Sequence, residues 1–431
     1  MRGSGRAGGS AAAGGAGGSA GPAGVGGSSG TGGSDGLGTA GGVDAGGAGD
    51  SSDSSGSRGA RHLYVHLPFC AHRCGYCDFV TLVGRGSEHA AYVDALLAEL
   101  ELERELLAPH LETVFLGGGT PTFTSASELA RLLAALPAAE EMTVEANPET
   151  VTPALAELLR GAGVTRVSLG AQSFRPHLLE TLERRATPDD VRAAVYALRD
   201  VGFDNSSLDL LYGIPGQSPA DLDRDLDDAL ELSPEHLSCY ELEAKPGTRF
   251  THTFGDELAR QAEAMEDYFE RVVERLTGAA YRWYETANFC VRPELAEGRD
   301  LRARHNLAYW RGRDYLGIGI GAVSTIEGRR RRTTPRLAAY LGALRRGETP
   351  PRDEETLPAE VRRRERVLLG LRLDEPLALT GLGGAIDGFA LRRLERLGLA
   401  ERRRGSTGET LALTARGRFL GGGVTAELLA S

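Results

Sequence analysis

Residues 70–80 read CAHRCGYCDFV and hold three of the chain's five cysteines. Cys70, Cys74 and Cys77 follow the spacing C-x3-C-x2-C, which lets one loop wrap three thiolates around one compact centre. The short apolar run just before the loop, HLYVHLPF, is typical of a β-strand. The cysteines therefore lie in a loop at a strand end, where proteins often place functional groups.

Three kinds of site can use this cysteine cluster. A structural zinc site usually has four ligands in two separated pairs, so zinc needs His66 or His72 as a fourth ligand. Redox-active cysteines usually form a C-x2-C pair in a small thioredoxin-like unit, which this chain does not resemble. An iron-sulfur cluster on three cysteines leaves one iron without a protein ligand, open to a small molecule.

Composition narrows the class of protein. The 431 residues suffice for one large domain and a smaller one. Five cysteines are too few and too unevenly placed for a disulfide framework, which favours a reducing cytoplasmic setting. The formal net charge of -11 argues against nucleic-acid binding. Since no run approaches the roughly 18 apolar residues that span a bilayer, and no signal peptide is recognisable, we predict a cytoplasmic monomer or weak dimer.

The chain begins with a segment of almost only Gly, Ala and Ser, which cannot bury enough apolar surface to order itself. It is a tether, a dispensable extension or the product of a start codon placed too far upstream. Six strand-like runs separated by helical patterns then indicate parallel βα units. The predicted parts are a disordered tail at 1–60, a partial barrel of six βα units at 61–255, an α/β elaboration at 256–350 and a small winged-helix-like domain at 351–431.

Polar and glycine residues gather where the strand-like runs end. Besides the cysteines, they are GGGT at 117–120, Glu145, Gln172, Asp209 and Glu241. Residues that follow parallel strands of a barrel face one common mouth. We therefore expect these strand ends to converge on one site.

The C-x3-C-x2-C spacing with Tyr76 before its last cysteine resembles the radical S-adenosylmethionine (SAM) superfamily. The resemblance implies a 4Fe-4S cluster on Cys70, Cys74 and Cys77. It also implies that the open iron binds the amino and carboxylate groups of SAM, and that an electron from the cluster cleaves SAM to a 5'-deoxyadenosyl radical. The protein then orients and insulates the cofactor.

The same resemblance implies a set of SAM contacts. Glycines 118 and 119 let backbone groups approach the methionine end closely, and Glu145 is placed to accept hydrogen bonds from ribose hydroxyls. The glycines could instead form only a tight turn after a strand. Each polar residue of this set could instead be a surface or capping residue. The expected cofactor-binding residues are Tyr64, Tyr76, Gly118, Gly119, Thr120, Glu145, Gln172, Arg184 and Asp209.

From about Leu63 to the C-terminus the chain resembles the oxygen-independent coproporphyrinogen III oxidase family. The matching stretches are LYVHLPFC, GGGTPT, EANPE, SLGAQSF, DLLYGIPGQ, HLSCYELEAKPGT, YETANF, HNLAYWRG and YLGIGIGA. The family has a decarboxylating dehydrogenase branch, with a further cysteine in C-x3-C-x2-C-x-C, and a branch of HemW-type heme chaperones. Phe79 stands in place of that cysteine, and the Gly-rich tail replaces the ordered N-terminal segment of the dehydrogenase. Both departures favour the chaperone branch.

HNLAYW at 305–310 matches a motif associated with heme in the chaperone branch. The resemblance implies that His305 supplies an imidazole to heme iron while Tyr309 and Trp310 pack on the porphyrin. Alternatively, His305 and Asn306 hydrogen-bond across the domain junction. Arg329 to Arg332 either pair with heme propionates or form a solvated loop.

Two places depart from the chaperone pattern. LERRAT has Glu183 and Ala186 where L-G-R-x-H is usual, and GAVS has Val323 where histidine is common. Histidine roles at those places are therefore excluded, whereas Arg184 is retained.

The resemblance as a whole implies a heme chaperone with a 4Fe-4S cluster, SAM and heme, which transfers heme to an unidentified acceptor protein. It assigns no catalytic residue. An electron donor such as a flavodoxin or ferredoxin, and peripheral membrane contact through the acceptor, are further expectations. The alternatives are an oxygen-independent coproporphyrinogen III oxidase that forms protoporphyrinogen IX, and a zinc-binding module without SAM chemistry.

Overall fold

The structure, a computed structural model, describes residues 59–243, 245, 248–406 and 408–429. The predicted tail lies outside these residues except for its last two positions. The strands are β1 His62–Leu67, β2 Phe69–Cys70, β3 Leu82–Val83, β4 Leu111–Gly118, β5 Ala139–Ala146, β6 Arg166–Gln172, β7 Ser206–Tyr212, β8 His236–Glu241, β9 Tyr281–Trp283, β10 Asn288–Val291, β11 Tyr315–Ile318, β12 Val323–Ile326, β13 Arg329–Thr333, β14 Arg352–Thr356, β15 Leu377–Ala378, β16 Ala400–Gly405 and β17 Gly408–Leu413. The α-helices are α1 His89–Leu102, α2 Ala126–Ala135, α3 Pro153–Gly161, α4 Pro176–Thr181, α5 Pro188–Asp200, α6 Pro219–Glu231, α7 Arg249–Gln261, α8 Met265–Gly278, α9 Arg304–Trp310, α10 Leu337–Arg345, α11 Ala359–Gly370, α12 Gly388–Arg396, α13 Ala415–Phe419 and α14 Gly421–Leu428.

One sheet of 12 strands organises most of the described chain, in the order β14-β13-β12-β11-β1-β4-β5-β6-β7-β8-β10-β9. The six predicted strands, β1 and β4 to β8, are mutually parallel, and β11 joins them in parallel beside β1. The strands that extend both ends of this set run antiparallel to their neighbours. The predicted α/β fold with a partial, open parallel barrel is therefore confirmed.

Two helices that return the chain to the sheet begin with a capping box. The side chains of Thr187 before α5 and Ser218 before α6 accept hydrogen bonds from the amides of Asp190 and Asp221. Each aspartate accepts a bond in return from the amide of its cap residue, so two amides at each helix start are satisfied. A proline follows each cap, where its missing N–H is not needed. These local signals fix where each helix starts and hence where the next strand enters the sheet.

Alternate residues of the parallel strands face opposite sides of the sheet. One set, which includes Leu63, Val114 and Leu208, is apolar and packs in the main hydrophobic core with residues of the helices. The other set faces the barrel interior and is largely polar. Its buried members include His62, Thr113, Glu141, Arg166, Ser168, Ser207, Asp209 and His236. These side chains bond to one another across strands, as buried polar groups must.

The C-terminal part has its own hydrophobic cluster, which contains Val367, Leu391 and Leu411. It builds a three-stranded sheet, β15-β17-β16, beside α11, α12 and α14. The predicted domain boundaries stay a prediction: α7 runs across residue 255, and β14 completes the large sheet. In the described ranges, every helix is too short or too polar to cross a lipid bilayer.

Candidate cluster and cofactor site

The cysteine loop lies between β2 and β3, which pair with each other outside the main sheet. It packs against the end of β4, where the Thr120 amide donates to the Phe69 carbonyl over 2.8 Å. Cys70, Cys74 and Cys77 are free thiols, each partly exposed. They share one pocket with most of the predicted cofactor set, namely Tyr76, Gly118, Gly119, Thr120, Glu145, Gln172, Arg184 and Asp209. The structure thus brings together all of the predicted cluster and cofactor residues except Tyr64 and His305, whereas Glu241, the residue expected from the end of β8, does not line the pocket.

Two of the three thiols in this pocket contact side chains that also line it. Thr120 Oγ1 lies 3.6 Å from Cys70 Sγ, and Arg184 Nη1 donates to Cys74 Sγ over 3.7 Å. Burial raises the pKa of Cys70, and that of Cys77 to about 11, so metal binding must release protons. A 4Fe-4S cluster takes each thiolate at a separate iron, and three partly exposed thiols that line one pocket fit it.

His66, one of the two candidate fourth ligands for zinc, is already engaged. Its Nδ1 lies 3.1 Å from Tyr64 Oη and its Nε2 lies 2.9 Å from the Val80 carbonyl oxygen. Burial lowers the pKa of His66 to about 4. Tyr64 itself stacks on Phe115 below the pocket and does not line it. Its role as a cofactor contact stays a prediction.

The glycines opposite the cysteine loop are required by close packing. A Cβ on Gly118 would lie 2.5 Å from the His66 ring, and one on Gly119 would lie 2.6 Å from the Pro68 carbonyl group. Gly118 also has φ 111°, a conformation that disfavours other residues. Its amide donates to Glu145 Oε2 over 3.2 Å. The sequence predicts that these glycines let the backbone approach a cofactor closely. In the structure they also let it approach His66, Pro68 and Glu145 of the protein itself.

Gly118→Ala should lower the free energy of unfolding by about 1–3 kcal/mol more than the control Gly163→Ala. Both glycines have a positive φ, 111° and 85°, so alanine is strained at both positions. Nothing lies within 4 Å of a Cβ built at Gly163, whereas Gly118 meets the packed ring of His66. Urea denaturation followed by circular dichroism measures both losses. Equal losses would show that the ring moves aside without cost.

Glu145 and Gln172 stand near the ends of β5 and β6, whereas Asp209 stands in the middle of the neighbouring strand β7. Gln172 has φ 66°, and the register of β6 against β7 shifts between Leu169 and Gln172; such a bulge re-aims a side chain. Asp209 accepts a hydrogen bond from Ser168 Oγ over 3.2 Å, and burial raises its pKa. Together the three residues form a wall rich in hydrogen-bond acceptors, suited to hydroxyl and amino groups.

Sequence reasoning selected the wrong residue on β8. Glu241 is exposed, whereas its neighbour Tyr240 lines the pocket. The reason is the alternation of side chains along a strand, which turns the final polar residue away. The pocket also contains Asn147, Ser168 and Thr81, which the sequence did not single out. Asn147 could have been predicted from the sequence, because it is a polar residue that directly follows the end of β5.

His305 lies far from solvent, with 1 % of its surface exposed, and does not line the cysteine pocket. Its Nδ1 is 2.6 Å from Thr113 Oγ1 on β4, and its Nε2 is 2.9 Å from Tyr309 Oη. The Glu141 carboxylate accepts a bond from the His305 amide over 3.3 Å, which ties α9 to the barrel. These contacts match the alternative to heme ligation, in which His305 hydrogen-bonds across the junction between α9 and the barrel. Heme ligation by His305 stays a prediction and requires the ring nitrogen that binds the iron to give up its present contact with Thr113 or Tyr309.

The other proposed heme contacts are engaged within the protein as well. The Arg372 guanidinium lies over the Trp310 ring, 4.4 Å from its centroid. On β13, Arg330 Nη2 pairs with Glu365 over 2.8 Å, and Arg331 pairs with Glu354 over 3.5 Å. Arg330 and Arg331 thus pair with carboxylates of the same chain, and a propionate site on β13 stays a prediction.

Comparison with known proteins agrees with this geometry. The radical SAM superfamily matches residues 64–229, and the open barrel with its three-cysteine pocket defines a radical SAM protein. The fold is similar to that of coproporphyrinogen III oxidase (HemN) from Escherichia coli, a radical SAM enzyme, with TM-score 0.70 and 24% sequence identity over 86% of this chain and 90% of that one. At that identity the likeness shows the fold alone.

Curated relatives narrow the class to one family. Heme chaperone HemW of Mycobacterium tuberculosis is 38% identical over 379 residues, which cover 85% of this chain and 94% of the relative. Heme chaperone HemW of Bacillus subtilis is 32% identical over 387 residues, covering 86% of this chain and 99% of the relative. The chain therefore belongs to the HemW family, and the predicted branch is confirmed.

Proposed function

We propose that this protein is a heme chaperone that holds a 4Fe-4S cluster, SAM and heme and passes heme to an acceptor protein. The observation that carries the proposal is the pocket in which three free thiols of one loop face an acceptor-rich wall from β5, β6 and β7. Full-length similarity to curated heme chaperones supports the heme part of the proposal.

The thiols of Cys70, Cys74 and Cys77 hold the cluster in this proposal. When bound, the cluster supplies single electrons and an open iron that takes the amino and carboxylate groups of SAM. Phe79 lines the same pocket at the position where the dehydrogenase branch has a further cysteine. It contributes an apolar surface there and no additional ligand.

The remaining pocket residues bind and orient SAM in this proposal. Glu145 accepts bonds from the ribose hydroxyls, and its carboxylate is held in place by the Gly118 amide. Asp209 and Gln172 complete the wall, and buried Ser168 fixes Asp209. Thr81 has a buried hydroxyl without a partner among the described residues, so it is available to a bound cofactor.

We further propose that the protein works in the cytoplasm and receives electrons from a flavodoxin or ferredoxin. Heme delivery then brings it to the surface of the membrane where an acceptor resides. The two cysteines outside the loop, Cys239 and Cys290, are buried. Burial keeps both thiols away from the cluster loop and from solvent.

Anaerobic reconstitution with iron and sulfide, followed by titration with hemin, tests this function. We expect four-iron content, SAM binding by equilibrium dialysis and a saturable Soret band. A reconstituted protein that binds no hemin contradicts the chaperone assignment. Formation of protoporphyrinogen IX from coproporphyrinogen III and SAM would instead establish the oxidase, and zinc without iron or sulfide would establish a zinc-binding module.

A further inference from the structure

A chain of hydrogen bonds joins two of the three thiols through the opposite wall of the pocket. Thr120 Oγ1 contacts Cys70 Sγ over 3.6 Å and accepts a bond from Asn147 Nδ2 over 3.1 Å. Asn147 Oδ1 in turn accepts a bond from Arg184 Nη2 over 2.8 Å. Arg184 Nη1 then donates to Cys74 Sγ over 3.7 Å. Asn147 is the central member of this chain.

Asn147 suits a central place because an amide offers a donor and an acceptor at once. Its donor is used on Thr120 and its acceptor on Arg184, so the direction of both bonds is fixed. The backbone at Asn147 is also held, since its carbonyl accepts a bond from Thr150 Oγ1 over 2.6 Å and another from the Thr150 amide over 3.0 Å. A short helical turn, Pro148–Thr150, thus anchors the side chain at the end of β5.

Arg184 is fixed on a second side, because its Nη2 also donates to the Gly170 carbonyl over 2.7 Å. Its guanidinium always carries a positive charge. A positive donor beside a thiolate sulfur stabilises the reduced, more negative state of an iron-sulfur cluster, since hydrogen bonds to the sulfurs help to set its potential. An Arg184 guanidinium held beside Cys74 therefore raises the reduction potential of a cluster bound there.

We propose that Asn147 is a positioning residue for the cluster, which fixes Thr120 and Arg184 against the thiolates of Cys70 and Cys74 and so raises the reduction potential. This inference rests on the proposed cluster at the three cysteines. Asn147 touches neither thiol itself and acts through its two neighbours.

The test is a potentiometric titration of the anaerobically reconstituted full-length protein, without SAM, followed by electron paramagnetic resonance. In Asn147→Ala we expect the ratio of reduced to oxidised cluster at a fixed potential to fall about tenfold, a downward shift of about 59 mV for one electron. Asn147→Asp should also lower the potential, because the aspartate cannot donate to Thr120 and adds a negative charge. Iron and sulfide contents should match the wild type in both variants.

Two further variants separate positioning from general disturbance. Asn205→Ala removes an amide near the start of β7, at the opposite end of the strands, and should leave the potential unchanged. In Asn147→Ala combined with Arg184→Gln, the shift should be smaller than the sum of the single shifts, because Asn147 acts through Arg184.

The outcomes distinguish the inference from the function on which it rests. If wild-type protein takes up no iron and sulfide, the proposed cluster fails and the inference falls with it. If both Asn147 variants carry the full cluster at the wild-type potential, Asn147 has no positioning role and the cluster assignment stands. Should the alanine variant not fold, Asn147→Asp decides alone, because it has nearly the same size and shape.

Discussion

Cys77→Ser is expected to abolish the 4Fe-4S cluster, leaving iron and sulfide at background after anaerobic reconstitution. The hydroxyl that replaces the thiol is a poor ligand for iron in such clusters, which depend on thiolates. Only two cysteines lie outside the loop, Cys239 and Cys290, and both side chains are buried, 2% and 1% exposed. Neither can replace the missing ligand. Iron and sulfide analysis with visible absorption measures the loss.

The matched control is Cys290→Ser, which removes a thiol of β10 away from the loop. It should retain the full cluster content, although the buried site will cost some stability. If Cys77→Ser still assembled a stable four-iron cluster with SAM affinity equal to the wild type, the three-cysteine assignment would be wrong. Loss of hemin binding in Cys77→Ser would additionally show that the cluster and heme sites are linked.

Much of this site could be predicted from the sequence, because many of its residues lie at or just after the C-terminal ends of parallel strands. Parallel strands carry their C-terminal residues to one edge of a barrel, so GGGT, Glu145 and Gln172 could be placed together from a coarse strand assignment. Asp209 was predicted at a strand end as well, but it reaches the pocket from the middle of β7. The error at Glu241 arose because a strand end does not tell which of two adjacent residues points inward. That choice depends on register, and a shift of one residue reverses every side chain.

The polar interior of the barrel was harder to predict. In the sequence, the polar residues of β6 and β7 look like interruptions of apolar runs, and only the folded sheet shows that Ser168, Asp209 and their neighbours share one face. Arg166, with 2 % of its surface exposed, stands among them and lies 3.4 Å from His236 Nδ1. A buried arginine needs partners from several strands. Three ionisable groups near Arg166, namely Glu141, Asp209 and His236, lie 25, 43 and 70 residues away in the chain, so local patterns do not reveal them.

The HNLAYW motif does not predict the orientation of the His305 side chain. The motif names His305 as a heme contact, but the motif does not specify whether the imidazole points outward or into the barrel. In the structure it points inward to Thr113, and burial lowers its pKa well below the ordinary value. A neutral ring with both nitrogens hydrogen-bonded is a structural tie between α9 and β4. The resemblance and the geometry thus make different predictions for the same residue.

His305→Ala should destabilise the heme-free protein by about 2–4 kcal/mol, because it opens a cavity and leaves the Thr113 and Tyr309 hydroxyls without their partner. Urea unfolding of the protein without heme measures this loss. The control His110→Ala changes an exposed histidine and should be neutral. In the folded fraction of His305→Ala, the geometry predicts hemin binding with an unchanged axial-ligand spectrum.

The opposite result has an equally definite meaning. A His305→Ala protein as stable as the wild type without heme, but with an altered Soret band and weaker hemin binding, identifies His305 as the iron ligand. The nitrogen that binds iron must then leave Thr113 or Tyr309 when heme binds, and the buried ring must become accessible to the heme. Tyr309→Phe separates the two cases further, because it frees Nε2 of His305 at little cost in volume. It should strengthen hemin binding if that nitrogen is the ligand, and leave it unchanged if His305 only holds α9 against the barrel.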